Sequence, residues 1–257
     1  MLELVNITKS FNVGTVDEST IFDNFNFKVN KGEFVSIIGS NGSGKTTLLN
    51  LVCGSLKADK GKILFKDKDI TSVSEYKRAE VIGRVFQDPK MGTCPDLTIL
   101  ENMALADNKN GRYGLAKCVN KKRIDYYKTL LEQCDMGLEN RLGVPVGTLS
   151  GGQRQALALV IANMTDIELL ILDEHTAALD PKSSERVMQL TQSLVEKNNI
   201  TTMMVTHNLR FAVEYGNRLV MMHEGNAILD IKGEEKAAAK VEDLTKIFDE
   251  ISIEKGN

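Results

Sequence analysis

The string GSNGSGKTT at residues 39–47 constrains this chain more than any other stretch. It fits the pattern G-x-x-x-x-G-K-[ST], with Gly39, Gly44, Lys45 and Thr46 at the fixed positions. Upstream lies a continuous apolar strand, EFVSII, from Glu33 to Ile38. Downstream the pattern TTLLNLVCG reads as a helix stopped at Gly54. A tight turn between strand and helix exposes successive N–H groups beside the positive end of the helix dipole, which makes a cradle for phosphate. Ser40, Asn41, Gly42, Ser43 and Gly44 supply the amides, and Lys45 supplies a point charge for the outer phosphates. Thr46 offers a hydroxyl to Mg²⁺, and Thr47 adds a further polar contact. The pattern predicts a chain that binds and hydrolyses ATP.

The bulk composition leaves room for such a site. At 257 residues, 42% hydrophobic and 26% charged, the chain suits one large α/β domain, or a domain with a smaller insert. A net charge of −3 gives no basic field for nucleic acid, and none is expected as a partner. The four cysteines, Cys53, Cys94, Cys118 and Cys134, are scattered without metal-ligand or disulfide spacing, which fits a reducing cytosol. The N-terminus, MLELVNITKSFN, alternates like a strand and is no signal peptide. No apolar run approaches the roughly eighteen residues of a membrane span, so a membrane role would need another polypeptide.

Along the chain, residues 2–7 and 25–29 alternate as half-buried strands, with the loop NVGTVDEST between them. GKILFKDKDI gives another strand, and VIGRVFQD a buried one ending in Gln87 and Asp88. From about residue 89 to 163 apolar residues recur at helical spacing, in ILENMALA, RIDYYKTLLEQC and GGQRQALALVIANM. IELLILDE restores a strand, PKSSERVMQLTQSLVEKNN is an amphipathic helix, and ITTMMVTH is the next strand. NRLVMMHEGNAILDI reads as two strands around a turn at Glu224 to Asn226. The tail from 233 to 257 carries Val241, Leu244, Ile247, Phe248 and Ile251 on one helical face, for docking on its own domain or on a partner. The alternation predicts an α/β fold with a mainly parallel sheet, an antiparallel portion near the start and an inserted helical subdomain.

A phosphate loop needs a carboxylate for its magnesium, and Asp173 ends the buried run LLILDE. Glu174 follows and is the candidate base for the attacking water. Gln87, at another strand end, could ligate Mg²⁺ or position water, and His207 could hydrogen-bond the γ-phosphate. Neither Gln87 nor His207 means much alone.

Taken in order, GSNGSGKTT, Gln87, LSGGQ at 149–153, LLILDE, AALD and His207 resemble the ATP-binding cassette family from about Leu2 to Ile231. The resemblance implies a phosphate-loop NTPase core over 1–88 and 164–232 within a cassette domain of 1–232, a helical subdomain over about 89–163, and a tail from 233 to 257. It implies that Ser150, Gly151, Gly152 and Gln153 close over the nucleotide of a second copy, and a homodimer is expected. Asp180, ending AALD, matches the loop that communicates between the two sites. Phe11 matches the aromatic that stacks on adenine, with a core Phe as the plainer reading. His175 stands where the family usually has Pro, either as a mark of a subgroup or as a new catalytic group.

Fold alone does not decide the task. The stretch between Lys45 and Ser150 is too short for the coiled coil of repair-type members, and the single cassette differs from ribosome-associated ones. A free-standing ATPase subunit of a transporter remains, at the cytoplasmic face of the membrane through an integral permease. Asp88, Pro89 and Met91 to Leu97 are the candidate permease contact, although Met91 and Leu97 could equally be insert core. DEHTAALDP with TILENMALA resembles ATPases of amino-acid uptake systems that work with an extracytoplasmic binding protein, aromatic amino acids being the narrower option. Efflux with a separate permease and a non-transport switch ATPase stay open.

Overall fold

The computed structural model describes residues 1–108 and 118–254, and the chain divides into two compact units. The first comprises Met1–Val52, Leu56–Ser72 and Met203–Asn257. Its N-terminal strands β1 (Leu2–Phe11) and β2 (Ser19–Val29) pair antiparallel, flanked by β4 (Lys60–Phe65) and β5 (Lys68–Asp69) in the order β2-β1-β4-β5. Alternation, shifted by one residue where Asn6 and Asn24 take φ of 52° and 55°, buries Leu2, Leu4 and Ile7 of β1 and Phe22, Phe25 and Phe27 of β2. The Phe22 and Phe25 rings stack at 4.5 Å.

β3 (Phe34–Gly39) is buried along its whole length, as its unbroken apolar run requires, and leads into α1 (Lys45–Cys53). It runs parallel to β9 (Arg218–His223), which pairs antiparallel with β10 (Asn226–Lys232). Arg218 locks this unit together. Its guanidinium, nearly buried, donates to the Lys28 carbonyl at 2.6 Å, to Glu33 at 2.8 Å and through two nitrogens to Asp230 at 2.7 Å. Such a fork satisfies a buried cation that would otherwise be costly.

The tail forms α8 (Glu234–Ala238) and α9 (Val241–Glu254). α9 docks on its own unit: Leu244, Ile247, Phe248 and Ile251 pack on a core of Ala212, Leu219 and Ile231. Ala212 lies on α7 (Leu209–Glu214), a short helix that no sequence period announces.

The second unit comprises Cys53–Ser55 and Val73–Thr202. Parallel strands β6 (Ile82–Val85) and β7 (Leu169–Asp173) accompany α2 (Glu75–Arg78), α3 (Ile99–Asp107), α4 (Ile124–Glu132), α5 (Gly151–Ala162) and α6 (Pro181–Asn198). α3 starts with a capping box between Thr98 and Glu101. α6 starts with Asp180 accepting from the Ser183 amide, and Pro181 occupies its first turn. β8 (Thr201–Val205) is buried throughout and contains the point where the units divide.

Two expectations need correction. GKILFKDKDI is a hairpin rather than one strand, because Lys66 and Asp67 take left-handed φ of 51° and 62°. Two polar residues in that conformation close a two-residue turn between Phe65 and Lys68. β6 ends at Val85, so Gln87 is exposed and lies two residues beyond the strand rather than on its end.

Burial of Leu244 at 1% exposure makes α9 part of the core of the first unit. Leu244→Ala is expected to cost about 2–4 kcal/mol in urea unfolding, whereas a solvent-facing change such as Glu242→Ala leaves the midpoint nearly unchanged.

Candidate nucleotide site

The turn after β3 has the backbone that its glycines foretell. Gly39 has φ 152°, and a Cβ there would stand 2.2 Å from the Met222 carbonyl oxygen. Gly44 has φ 100°, and its missing Cβ would strike the Phe22 ring at 2.9 Å. No other residue fits either place. Lys45 is 5% exposed, and its ammonium donates to the carbonyls of Gly39 and Ser40 at 2.8 Å each. The turn closes through Ser43 N–H to the Ser40 carbonyl, and the Gly225 amide holds the Ser43 carbonyl at 3.1 Å. Among the described residues the N–H groups of Gly42 and Gly44 have no protein acceptor. Unsatisfied donors at a helix start are what an anionic phosphate supplies with partners, so these residues fit a nucleotide.

Asn41, Gly42 and Thr46 are exposed, Ser43 is buried and Thr47 is half-buried. In the same unit Phe11 ends β1 at 36% exposure, which removes the core reading, and Lys9 Nζ sits 5.4 Å from its ring centroid. His207 is exposed just after β8.

In the second unit the acidic pair lies at the end of β7. Asp173 accepts a 2.7 Å hydrogen bond from Arg84 Nη2 through Oδ2 alone. Its Oδ1 accepts none among the described residues, which leaves lone pairs suited to a hard cation and its waters. Glu174 has a left-handed φ of 48°, and its carbonyl accepts from the Ala177 amide at 2.9 Å. A non-glycine residue held there stores strain on the order of 1 kcal/mol or more, a common mark of functional positions.

His175 is 2% exposed. Thr191 Oγ1 donates to the Val187 carbonyl at 2.8 Å, so it can only accept from His175, whose Nε2 lies 3.3 Å away. The imidazole is therefore the Nε2–H tautomer, and burial depresses its pKa to about 4. This side chain packs and braces α6, which favours the subgroup reading over a new catalytic group.

Ser150 caps α5: its Oγ accepts from the Gln153 amide at 3.3 Å while Gln153 Oε1 accepts from the Ser150 amide at 3.2 Å. Gly151 is exposed, and a Cβ on Gly152 would strike Ser183 at 2.8 Å. Ser150, Gly152 and Gln153 line a small concavity of about 150 Å³ with Arg186. A larger groove of about 560 Å³ is walled by Cys53, Arg84, Phe86, Met91, Cys94 and Leu105. Met91 is 68% exposed, so it is not core.

Two residues were missed in the sequence. Arg84 interrupts the apolar run VIGRVF, a signal that was available. Fully buried Gln155 donates to the Phe86 carbonyl at 3.0 Å and thereby ties α5 to the stretch before Gln87. No helix among the described residues is long and apolar enough to cross a membrane.

A family model described as "ABC transporter" matches residues 22–177. A "Tyrosine transport ATP-binding protein" of Clostridioides difficile is 47% identical over 97% of this chain and 99% of its own length. The "Macrolide export ATP-binding/permease protein MacB" of Pasteurella multocida is 34% identical over 90% of this chain, which spans 34% of that protein. Among solved structures, a dimeric post-hydrolysis state of the ATP-binding cassette MJ0796 with ADP and Pi has a TM-score of 0.77. It is 30% identical, over 90% of this chain and 98% of that one.

The depressed pKa of His175 carries a pH dependence for the nucleotide-free protein. In the unfolded chain an ordinary imidazole takes up a proton below about 6.5, while the buried one resists until about 4. Stability is therefore lost as pH falls through that window, by roughly 3 kcal/mol at most from this group. Urea midpoints measured from pH 7 to 4 should fall less steeply in His175→Gln than in the parent.

Proposed function

The chain belongs to the ATP-binding cassette transporter family, whose cassettes hydrolyse ATP, and from that premise we propose that it powers amino-acid uptake, aromatic amino acids included. The observation that carries this reading is the 47% identity, end to end, with a tyrosine transport ATP-binding protein. The macrolide exporter matches at lower identity and over a third of its own length, so export is the second reading.

The proposed roles follow the chemistry of each side chain. The amides of Asn41, Gly42 and Gly44 and the ammonium of Lys45 bind the ATP phosphates, with Ser40, Ser43 and Thr47 beside them and Phe11 stacked on adenine. Reaching phosphate requires Lys45 to release a carbonyl that it now holds. Mg²⁺, when bound, neutralises developing phosphate charge, and Thr46, Asp173 and Gln87 are the residues that would hold it. Glu174 orients and deprotonates the attacking water, and His207 donates to the γ-phosphate. Ser150, Gly151, Gly152 and Gln153 cap the nucleotide of a second copy, with Asp180 passing the state of one site to the other. The dimeric neighbour supports a paired arrangement.

We assign the helical subdomain to about 89–163 and the groove beside Phe86 and Met91 to an integral permease at the cytoplasmic face of the membrane. Aromatic and Met walls around an open groove suit an inserted apolar helix. An extracytoplasmic binding protein selects the amino acid.

Two measurements test these assignments. Glu174→Gln should lower ATP turnover at least about a hundredfold, retain ATP binding and shift the protein to a dimer in size-exclusion chromatography with ATP. Turnover at the parent rate would remove Glu174 as the base. Deleting the gene should abolish uptake of labelled tyrosine or a related amino acid by the native cells. Unchanged uptake across the amino acids, with a defect in drug efflux, would select the export reading.

A further inference from the structure

Arg84 is a charged side chain in the middle of a buried strand, and its surroundings explain why it is there only in part. Its side chain is 13% exposed and that of Asp173 15%. Its Nε is buried without a hydrogen-bond partner among the described residues. Its guanidinium carbon lies 4.6 Å from the centre of the Phe86 ring, and both residues wall the large groove. A nearly buried ion pair with an unsatisfied nitrogen is a poor device for stability, since apolar residues of the same volume often do as well or better.

The bond to Asp173 has a specific form. The contact is single, Nη2 to Oδ2, rather than the bidentate fork that Arg218 makes with Asp230. One carboxylate oxygen is thus fixed and the other is left for a further ligand. Carboxylates that bind metals are commonly held by such an outer hydrogen bond, which sets their orientation.

Resting on the reading of Asp173 as the magnesium carboxylate, we propose that Arg84 is its positioning residue and holds it from the wall of the partner groove. The cation–π contact with Phe86 restrains the guanidinium, the guanidinium holds Oδ2, and Oδ1 is presented to the metal shell. A chain seated in the groove would then meet the same side chain that orients the metal carboxylate.

The test uses the full chain saturated with ADP, titrated with Mn²⁺ in place of Mg²⁺, with free Mn²⁺ read from its electron paramagnetic resonance signal. Arg84→Met should raise the Mn²⁺ dissociation constant by about tenfold or more, while ADP affinity in EDTA stays within about twofold of the parent. Should that variant fail to fold, Arg84→Gln, too short to make the same bond from the same backbone, serves for the comparison. Asp173→Asn is run beside it. Weakened Mn²⁺ binding in Asp173→Asn with parent-like binding in the Arg84 variant would overturn the role of Arg84 alone. Parent-like Mn²⁺ binding in both would overturn the assignment of Asp173 as well.

Discussion

A lysine at 5% exposure, its ammonium hydrogen-bonded to two backbone carbonyls, is the point around which the phosphate-loop turn is arranged. By taking the carbonyls of Gly39 and Ser40, Lys45 holds the turn in a form that leaves the Gly42 and Gly44 amides without acceptors among the described residues. The surrounding chain is fitted to that turn. The Met222 carbonyl and the Phe22 ring approach where only glycine leaves room, and the Gly225 amide holds the Ser43 carbonyl from the β9–β10 hairpin. A backbone prepared for an anion before any anion arrives needs little reorganisation to bind one.

The acidic end of β7 follows a different logic. Asp173 is held through one oxygen, Glu174 is kept in a left-handed conformation, and His175 is buried behind them as a neutral ring. The ring of His175 reaches Thr191 on α6 at 3.3 Å, a buried contact between the residue after the acidic pair and that helix. The cost of the buried histidine is sensitivity to acid, since the ring folds neutral.

Much of the fold was legible because strand and helix periods differ and buried strands are apolar without interruption. EFVSII, LLILDE and ITTMM announced β3, β7 and β8 in this way. The hairpin at Lys66 and Asp67 was hidden because neither turn residue is the glycine that usually marks a two-residue turn. The α7 helix was hidden because six residues give too little of a period to read. Arg84 was visible as an anomaly, but a single sequence cannot say what a buried guanidinium faces. The same holds for Gln155, whose partner is a backbone carbonyl far away in the chain.

By itself the sequence determined the phosphate-loop backbone, because Gly39 and Gly44 permit conformations that other residues forbid and Lys45 places a charge at a fixed distance from them. It also determined the family, through a set of short motifs in a fixed order. Only the tertiary structure decided that Phe11 is exposed, that Met91 lines a groove, that the tail helix is part of its own core, and that Asp173 shares a hydrogen bond with Arg84. The physical reason is the range of each effect. Backbone conformation and capping are set by neighbours in sequence, whereas exposure and ion pairing depend on which distant side chains fill the space opposite.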